Sequence, residues 1–462
     1  QVPSLSFLGF LLVTLVLCLS VGRGSRQAGR KVLALAGVVF TVLGGGWRGF
    51  AVLAAGTAAT AAVLWCLERL DALPRRLAMA MGCLWHIAVL AVCKLTGWMP
   101  LGISFFTFQQ LWLLKEAYTG QYRRSQGDSL LLYTFFFPTV TSGPILRPEE
   151  FFPQLREAFL CPSWGDAAAG LYAISFGMAK KVLLADPLGA VVSNGWALGQ
   201  ELTAPAAWIV ILGYTLRLYL DFSGYCDIAS GCARLLGIRL PVNFDSPYRA
   251  LSVGEFWKRW HITLTSFLRE CVYIPLGGSR RGSVRTYGNI LIVYLISGLW
   301  HGTGWTFLVW GLLHGAAQVT ERLWGGRRDA LPKWLRWVMT FFFLNLAWVF
   351  FRAPDISAAA ALLKTAVTGG FGGIRPWLVN GLFRREFSAL ELLAPAVRPY
   401  TTYLRVALIL GAGLLTALWP RNPVRQMEVF RPTVRSCLTT ALLAAWSILS
   451  FTGVVTFIYS NF

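Results

Sequence analysis

Charge is scarce in this sequence. Asp, Glu, Lys and Arg make up 14% of its 462 residues, against about a quarter in soluble domains. Acids are scarcer still, 21 against 42 Lys and Arg, and histidine occurs only at positions 86, 261, 301 and 314. Nine cysteines sit mostly inside apolar runs, with no C-x-x-C arrangement. That argues against a disulfide framework or a zinc site, and no metal is expected; the cysteines read as small packing residues. There is no internal repeat, low-complexity tract or heptad array. The net charge of +21 invites a nucleic-acid reading, but no nucleic-acid motif accompanies it. Basic residues in a membrane chain chiefly set topology and meet anionic headgroups. No nucleic-acid partner is expected.

What is abundant is apolar: 56% of the residues, with a mean hydropathy of +0.57. Apolar stretches recur from 4–21 through 205–237 and 288–322 to 436–460. A spanning helix needs roughly 20 such residues, so the expectation is an all-α polytopic membrane protein of about ten or eleven spans. The remaining stretches are expected to be re-entrant or interfacial. Arg23, Arg26, Arg30 and Lys31, then Arg69, Arg75 and Arg76, then Arg123 and Arg124 mark alternate loops. Excess basic residues mark the cytoplasmic side, which places the N-terminus outside. Residues 1–22 lack a basic n-region and an A-x-A-like cleavage site, and read as a first span rather than a signal peptide. Four regions are expected: N-terminal helices over 1–100, a core over 101–355, an interfacial or external excursion over 356–402, and C-terminal helices over 403–462. The Gly-, Pro- and Arg-rich stretch 369–402 is its least membrane-like part.

A charge at membrane depth costs about 2.5–3.5 kcal/mol on insertion scales. This chain accepts that cost repeatedly between 215 and 315. In YTLRLYLDFSGYCDIASG, Arg217 and Asp221 stand four apart, spaced for an ion pair on one helical face. Asp227 lies six beyond Asp221, roughly 240° around an unbroken helix, unless Gly224 breaks it. These carboxylates read either as structural partners holding the bundle or as a functional pair. Further on, Phe256, Trp260, Leu264 and Phe267 share helical spacing, as do Lys258, His261 and Thr265, which predicts one amphipathic helix. The following PLGGSRRG turn has glycines and basic residues suited to phosphate but lacks P-loop spacing. His301 and His314 sit in apolar surroundings, roughly 20 Å apart on a continuous helix. They can jointly hold one metal ion only if the Gly302–Gly304 break folds the chain back. A histidine in such a setting reads either as hydrogen-bonded packing or as a catalyst.

At these residues the sequence resembles the membrane-bound O-acyltransferase family, and within it the alginate O-acetylation branch. The resembling stretches are LGISFFTFQ (101–109), FFPTVTSGPILRPEEFFPQL (136–155), YLDFSGYCDIASG (219–231), EFWKRWHITLTSFLRECVYIPLGGSRRG (255–282), SGLWHGTGWTFLVWGLLHG (297–315), FLNLAWVFFRAP (343–354) and the terminal FIYSNF. The YIPLGG turn favours this branch over the one that transfers D-alanine to teichoic acid. Glu116 after Lys115, Asp245 in NFD, and Glu270 depart from the family's usual residues while keeping polarity.

The resemblance implies transfer of an acyl group, expected to be acetyl, from a cytoplasmic thioester to an extracytoplasmic hydroxyl. Acetyl-coenzyme A or an acylated carrier would be the co-substrate, with no bound cofactor. The acceptor would be a cell-surface or secreted polysaccharide, reached directly or through an SGNH-type partner protein, at a bacterial cytoplasmic membrane. His301 in WHG and His261 in RWHIT take the catalytic positions. Asp221, Ser223, Asp227, Lys258 and Trp300 form the expected substrate-binding set. An attacking hydroxyl must lose its proton, and neutral imidazole suits that task. The two histidines are expected to line a funnel or tunnel through a core over 205–322, with His314 and His86 away from the reacting atoms. D-alanyl transfer, a transporter or flippase, and an inactive secretion subunit are the competing functions.

Overall fold

The computed structural model describes residues 2–123, 129–157, 162–419 and 422–451. Arg124 and the terminal FIYSNF stretch lie outside them. Every regular element among the described residues is helical.

The first helices are α1 (Leu5–Gly24), α2 (Arg26–Arg69), α3 (Ala72–Thr96) and α4 (Ile103–Thr119). Ser4 caps α1 by accepting the amide hydrogen of Phe7. The 44-residue α2 is two helices joined at Gly46, whose φ of 72° suits glycine alone. Next come α5 (Trp164–Leu198), α6 (Ala204–Leu235), α7 (Val253–Arg259) and α8 (Ile262–Leu268), then α9 (Ser283–His301), α10 (Trp305–Trp324), α11 (Lys333–Arg352), α12 (Ile356–Thr368), α13 (Thr401–Leu418) and α14 (Val434–Leu449). Six of the described helices, α1, α2, α3, α5, α11 and the one containing α13, are long and apolar enough to cross a membrane. Helix α6 has 32 residues and α10 has 20, lengths that also suffice, but both carry more polar side chains. Such residues are tolerated because α6 is buried along nearly its whole length.

Helix α6 is the axis of the molecule, packed by α5, α11, α12 and α13. It is continuous through Gly224, so the break considered there does not occur. The glycine serves helix contact instead. A β-carbon on Gly224 would stand 2.8 Å from the Gly177 carbonyl oxygen, and one on Gly177 would stand 2.5 Å from that of Gly224. Gly170 and Gly231 repeat the arrangement at 2.9 and 2.5 Å. Each helix thus offers two glycines seven residues apart, two turns along one face. Small residues let backbones approach where lipid supplies no hydrophobic drive. Gly224→Val should therefore force α5 and α6 apart. Overpacking of this kind costs about 1–3 kcal/mol, to be read as a lower melting temperature in detergent, while valine at the open position Gly411 should cost far less.

Two local expectations need correction. The single amphipathic helix over 256–267 is two short helices, α7 and α8, interrupted at Trp260 and His261. Helices α9 and α10 fold back on each other at Gly302–Gly304 instead of continuing. Gly298 and Gly311 permit this hairpin, since β-carbons there would stand 2.4 Å from the carbonyl oxygens of Phe307 and Tyr294. Within 369–402 the chain forms short helical pieces held to the end of α5. Asn194 donates to the carbonyls of Trp377 and Leu378, and Arg375 pairs with Glu201.

Candidate active site

His261 sits in the gap between α7 and α8 with φ 45° and ψ 52°. A non-glycine residue held there costs about 1–3 kcal/mol and persists only where its surroundings impose it. The imposing segment is NFDS. Asp245 N donates to the Arg259 carbonyl and Ile262 N to the Asn243 carbonyl, both at 2.9 Å. The Asn243 side-chain oxygen accepts from the Thr263 amide and hydroxyl at 3.2 and 2.9 Å. These bonds clamp the chain on both sides of His261. The ring is buried, stacked on Phe105 at 5.8 Å and met edge-on by Phe222 at 4.9 Å.

His301 ends α9 and is also buried. Its ring lies 5.1 Å from Trp310 and 4.9 Å from Phe351, centroid to centroid. Trp300 stands between the two histidines, 4.6 Å from His301 and 6.1 Å from His261. Phe108 stacks on Trp300 at 5.0 Å, and its indole N–H donates to the Ser104 carbonyl. Residues 40 apart in sequence thus flank one indole.

The hairpin also moves His314. It lies 5.0 Å from Trp310, on whose ring His301 also packs, and its Nδ1 accepts from Trp257 Nε1 at 3.1 Å. The roughly 20 Å separation from His301 that a continuous helix would impose is therefore not realised, since one indole touches both rings. His86 is separate: its Nε2 meets the Thr60 hydroxyl at 2.9 Å between α2 and α3.

A cavity of about 680 Å³ opens beside α7, α9 and α10. Its wall carries Lys258, Arg269, Arg322, Arg328 and Arg336 against Glu255, Glu321 and Asp329, a net basic balance, and Trp257, Ile290 and Tyr294 add an apolar face. It reaches Ser297, one turn or roughly 6 Å along α9 from His301. Neither catalytic candidate lines this cavity. A charged mouth leading to an apolar interior suits a ligand with a phosphorylated head and a less polar arm.

The remaining expected site residues divide. Lys258 is exposed on the cavity wall. Asp221, Ser223 and Asp227 are buried inside α6. Asp221 meets Lys181 at 2.7 Å rather than forming the expected pair with Arg217. Asp227 meets Lys180 at 2.6 Å, and the Lys180 ammonium also reaches the Ser223 hydroxyl. Lys181 additionally binds Asp186 at 2.6 Å. Arg217 packs against α5 at Gly189, where a β-carbon would stand 2.9 Å from the guanidinium carbon. Lys180 and Lys181 were missed in the sequence. The available signal was a pair of lysines inside the apolar run GMAKKVLLAD, an expensive placement that demands carboxylate partners. They lie on π-helical turns, Ala179–Ala185, which aim both ammonium groups at α6. This arrangement favours the bundle-holding reading of the two carboxylates. Among the described residues no group of three or more His, Cys, Asp and Glu is placed to hold a metal.

The model of the MBOAT, membrane-bound O-acyltransferase, family matches residues 79–354. A peptidoglycan O-acetyltransferase from Helicobacter pylori is 40% identical over 308 residues, 60% of this chain and 58% of that protein. A probable alginate O-acetylase, AlgI, from Azotobacter vinelandii is 35% identical over 298 residues, 64% of this chain and 58% of that one. A teichoic acid D-alanyltransferase from Bacillus subtilis matches at 28% identity over 276 residues, 54% of this chain and 68% of its own length. The chain spans less than two thirds of the length of the first two relatives.

Proposed function

Because the chain belongs to the membrane-bound O-acyltransferase family, we propose that it passes an acetyl group from a cytoplasmic thioester to a polysaccharide hydroxyl on the opposite side of the bacterial cytoplasmic membrane. The observation that carries this reading is the basic cavity whose inner end, Ser297, lies one turn from His301. The donor's phosphorylated part rests at the mouth, where Lys258 adds to the charge, and its thioester points along α9.

In the transfer, His301 takes the proton of the attacking hydroxyl. The hydroxyl oxygen bonds to the acyl carbon, the carbon–sulfur bond breaks, and the departing thiolate recovers the proton. General-base help of this kind is worth about 10²–10⁴ in rate. His261, fixed by the NFDS clamp, binds the acceptor or stabilises the developing oxyanion. Trp300 holds the two imidazoles at a fixed separation. Asp221 and Asp227 act at a distance, by fixing α5 against α6. The acetyl group then reaches its polymer directly or through an extracytoplasmic SGNH-type protein, for which 369–402 is a docking surface.

The lower identity to the D-alanyltransferase than to the two O-acetylation relatives supports acetyl over D-alanyl. Mass spectrometry of cell-surface polymers from cells with and without the protein tests the reading. Loss of acetyl groups from one polysaccharide is expected. Unchanged acetylation of every envelope polymer would refute it.

A further inference from the structure

We propose that Arg217 and Arg352, with the Tyr214 hydroxyl and the Trp196 indole N–H, bind the phosphodiester of an anionic lipid headgroup between α5, α6 and α11. The site is separate from the two histidines, and its existence does not depend on acyl transfer.

Tyr214 and Arg217 stand three apart on α6 and so share a face. The Arg217 guanidinium rests against Gly189 of α5. The Arg352 guanidinium, at the end of α11, lies over the ring of Trp196, also on α5, 5.6 Å from its centroid. Gly189 and Trp196 are seven residues apart, two turns or roughly 10 Å along one face of that helix. Tyr214 lies within electrostatic reach of both guanidiniums, and they of each other. Three helices thus bring two like charges to one place.

Neither guanidinium has a hydrogen bond or an ion pair among the described residues, and both are only half-exposed. The Trp196 N–H is buried and has no acceptor among those residues either. The acids nearby are engaged. Asp186 and Asp221 both bind Lys181, at 2.6 and 2.7 Å. Asp355, three residues after Arg352, caps α12 by accepting from the Ser357 hydroxyl and the Ala358 amide. Glu201, just beyond α5, pairs with Arg375. Cations inside a bundle are retained where they meet a counter-charge, and the described residues supply none at contact distance.

Charge decides the ligand class. Lys181 with its two carboxylates carries one surplus negative charge, which offsets one guanidinium at a distance. Lys180 and Asp227 cancel. One positive charge remains, the complement of a phosphodiester, whereas a phosphomonoester brings about 1.5–2 negative charges. The donors come from three helices and not from one plane, which suits a tetrahedral phosphate better than a flat carboxylate. The surroundings suit a lipid. Trp377, whose carbonyl accepts from Asn194, is half exposed, and tryptophan favours the headgroup level. Basic pockets between spans take anionic headgroups. Phe351, next to Arg352, packs on His301, so a bound headgroup steadies the end of α11 beside that histidine.

The test uses the full chain in a neutral maltoside detergent: wild type, Arg217→Gln/Arg352→Gln, and Arg23→Gln/Arg48→Gln, whose targets are exposed residues elsewhere. Dioctanoyl-phosphatidylglycerol or dioctanoyl-phosphatidylcholine is titrated, with binding read from the melting temperature and from adducts in native mass spectrometry. Phosphatidylglycerol should raise the wild-type melting temperature to a plateau and give a one-to-one adduct, and phosphatidylcholine should do neither. Affinity should fall about tenfold or more in Arg217→Gln/Arg352→Gln, the scale of losing charge-assisted hydrogen bonds, and hold in Arg23→Gln/Arg48→Gln. If the first double variant does not fold, Arg352→Gln alone should weaken binding in the same direction, and unchanged affinity there would overturn the site. Equal losses in both double variants would show general surface attraction and overturn it too. So would the absence of a plateau with phosphatidylglycerol. An equal rise with inorganic phosphate would assign the site to the free ion, and one with trigalacturonate to a carboxylated sugar; either would overturn the lipid assignment.

Discussion

Asp227→Leu is expected to remove about 3–5 kcal/mol of stability, the range seen when one partner of a buried ion pair is deleted. Lys180 and Asp227 are 6% and 1% exposed at the side chain and 2.6 Å apart. Deleting the carboxylate leaves the ammonium with the Ser223 hydroxyl at 3.4 Å, too weak a partner for a buried charge. The double variant Lys180→Met/Asp227→Leu removes both charges and should recover most of the loss, since apolar replacement of a whole buried pair is often neutral or better. Thermal unfolding in detergent, followed by size-exclusion fluorescence, reads all three proteins. A double variant no more stable than Asp227→Leu alone would show that Asp227 does something other than neutralise Lys180.

His301→Ala should lower kcat by about 10²–10⁴, the share of rate that a general base supplies, and leave KM for the thioester nearly unchanged. An interaction made only in the transition state produces that split. The ring is also packed against Trp300, Trp310 and Phe351, so turnover must be expressed per folded molecule. His86→Ala is the control. It strands the Thr60 hydroxyl, a loss of roughly 1–3 kcal/mol, yet should keep wild-type kcat. Turnover by His301→Ala equal to that of His86→Ala would assign His301 to packing.

The all-helical membrane character was legible because composition alone enforces it. The functional region was legible for a related reason: polar residues are tolerated in apolar runs only where something requires them, and those between 215 and 315 surround α6 and the two histidines. Partners were not legible. Arg217 stands four residues before Asp221, the spacing of a helical pair, but tertiary packing brings Lys181 from α5 against that carboxylate. The placement of His314 was hidden by the hairpin at Gly302–Gly304, and that of His261 by the backbone reversal the NFDS segment imposes. Periodicity describes continuous helices, and both sites depend on where helices stop. The basic turn at 275–282 was visible as a motif, but only the fold gathers Arg269 and Arg322 beside it.

The central claim is that a thioester is cleaved here and its acyl group handed on. The most direct test is sealed proteoliposomes of uniform orientation, supplied with acetyl-coenzyme A labelled in the acetyl group on one side only. The account predicts free thiol appearing on the side that carries Arg280 and Arg281, label arriving on a hydroxyl acceptor supplied on the other, and neither event in His301→Ala. Transport of the intact labelled thioester across the bilayer with no thiol released would contradict it and identify a transporter.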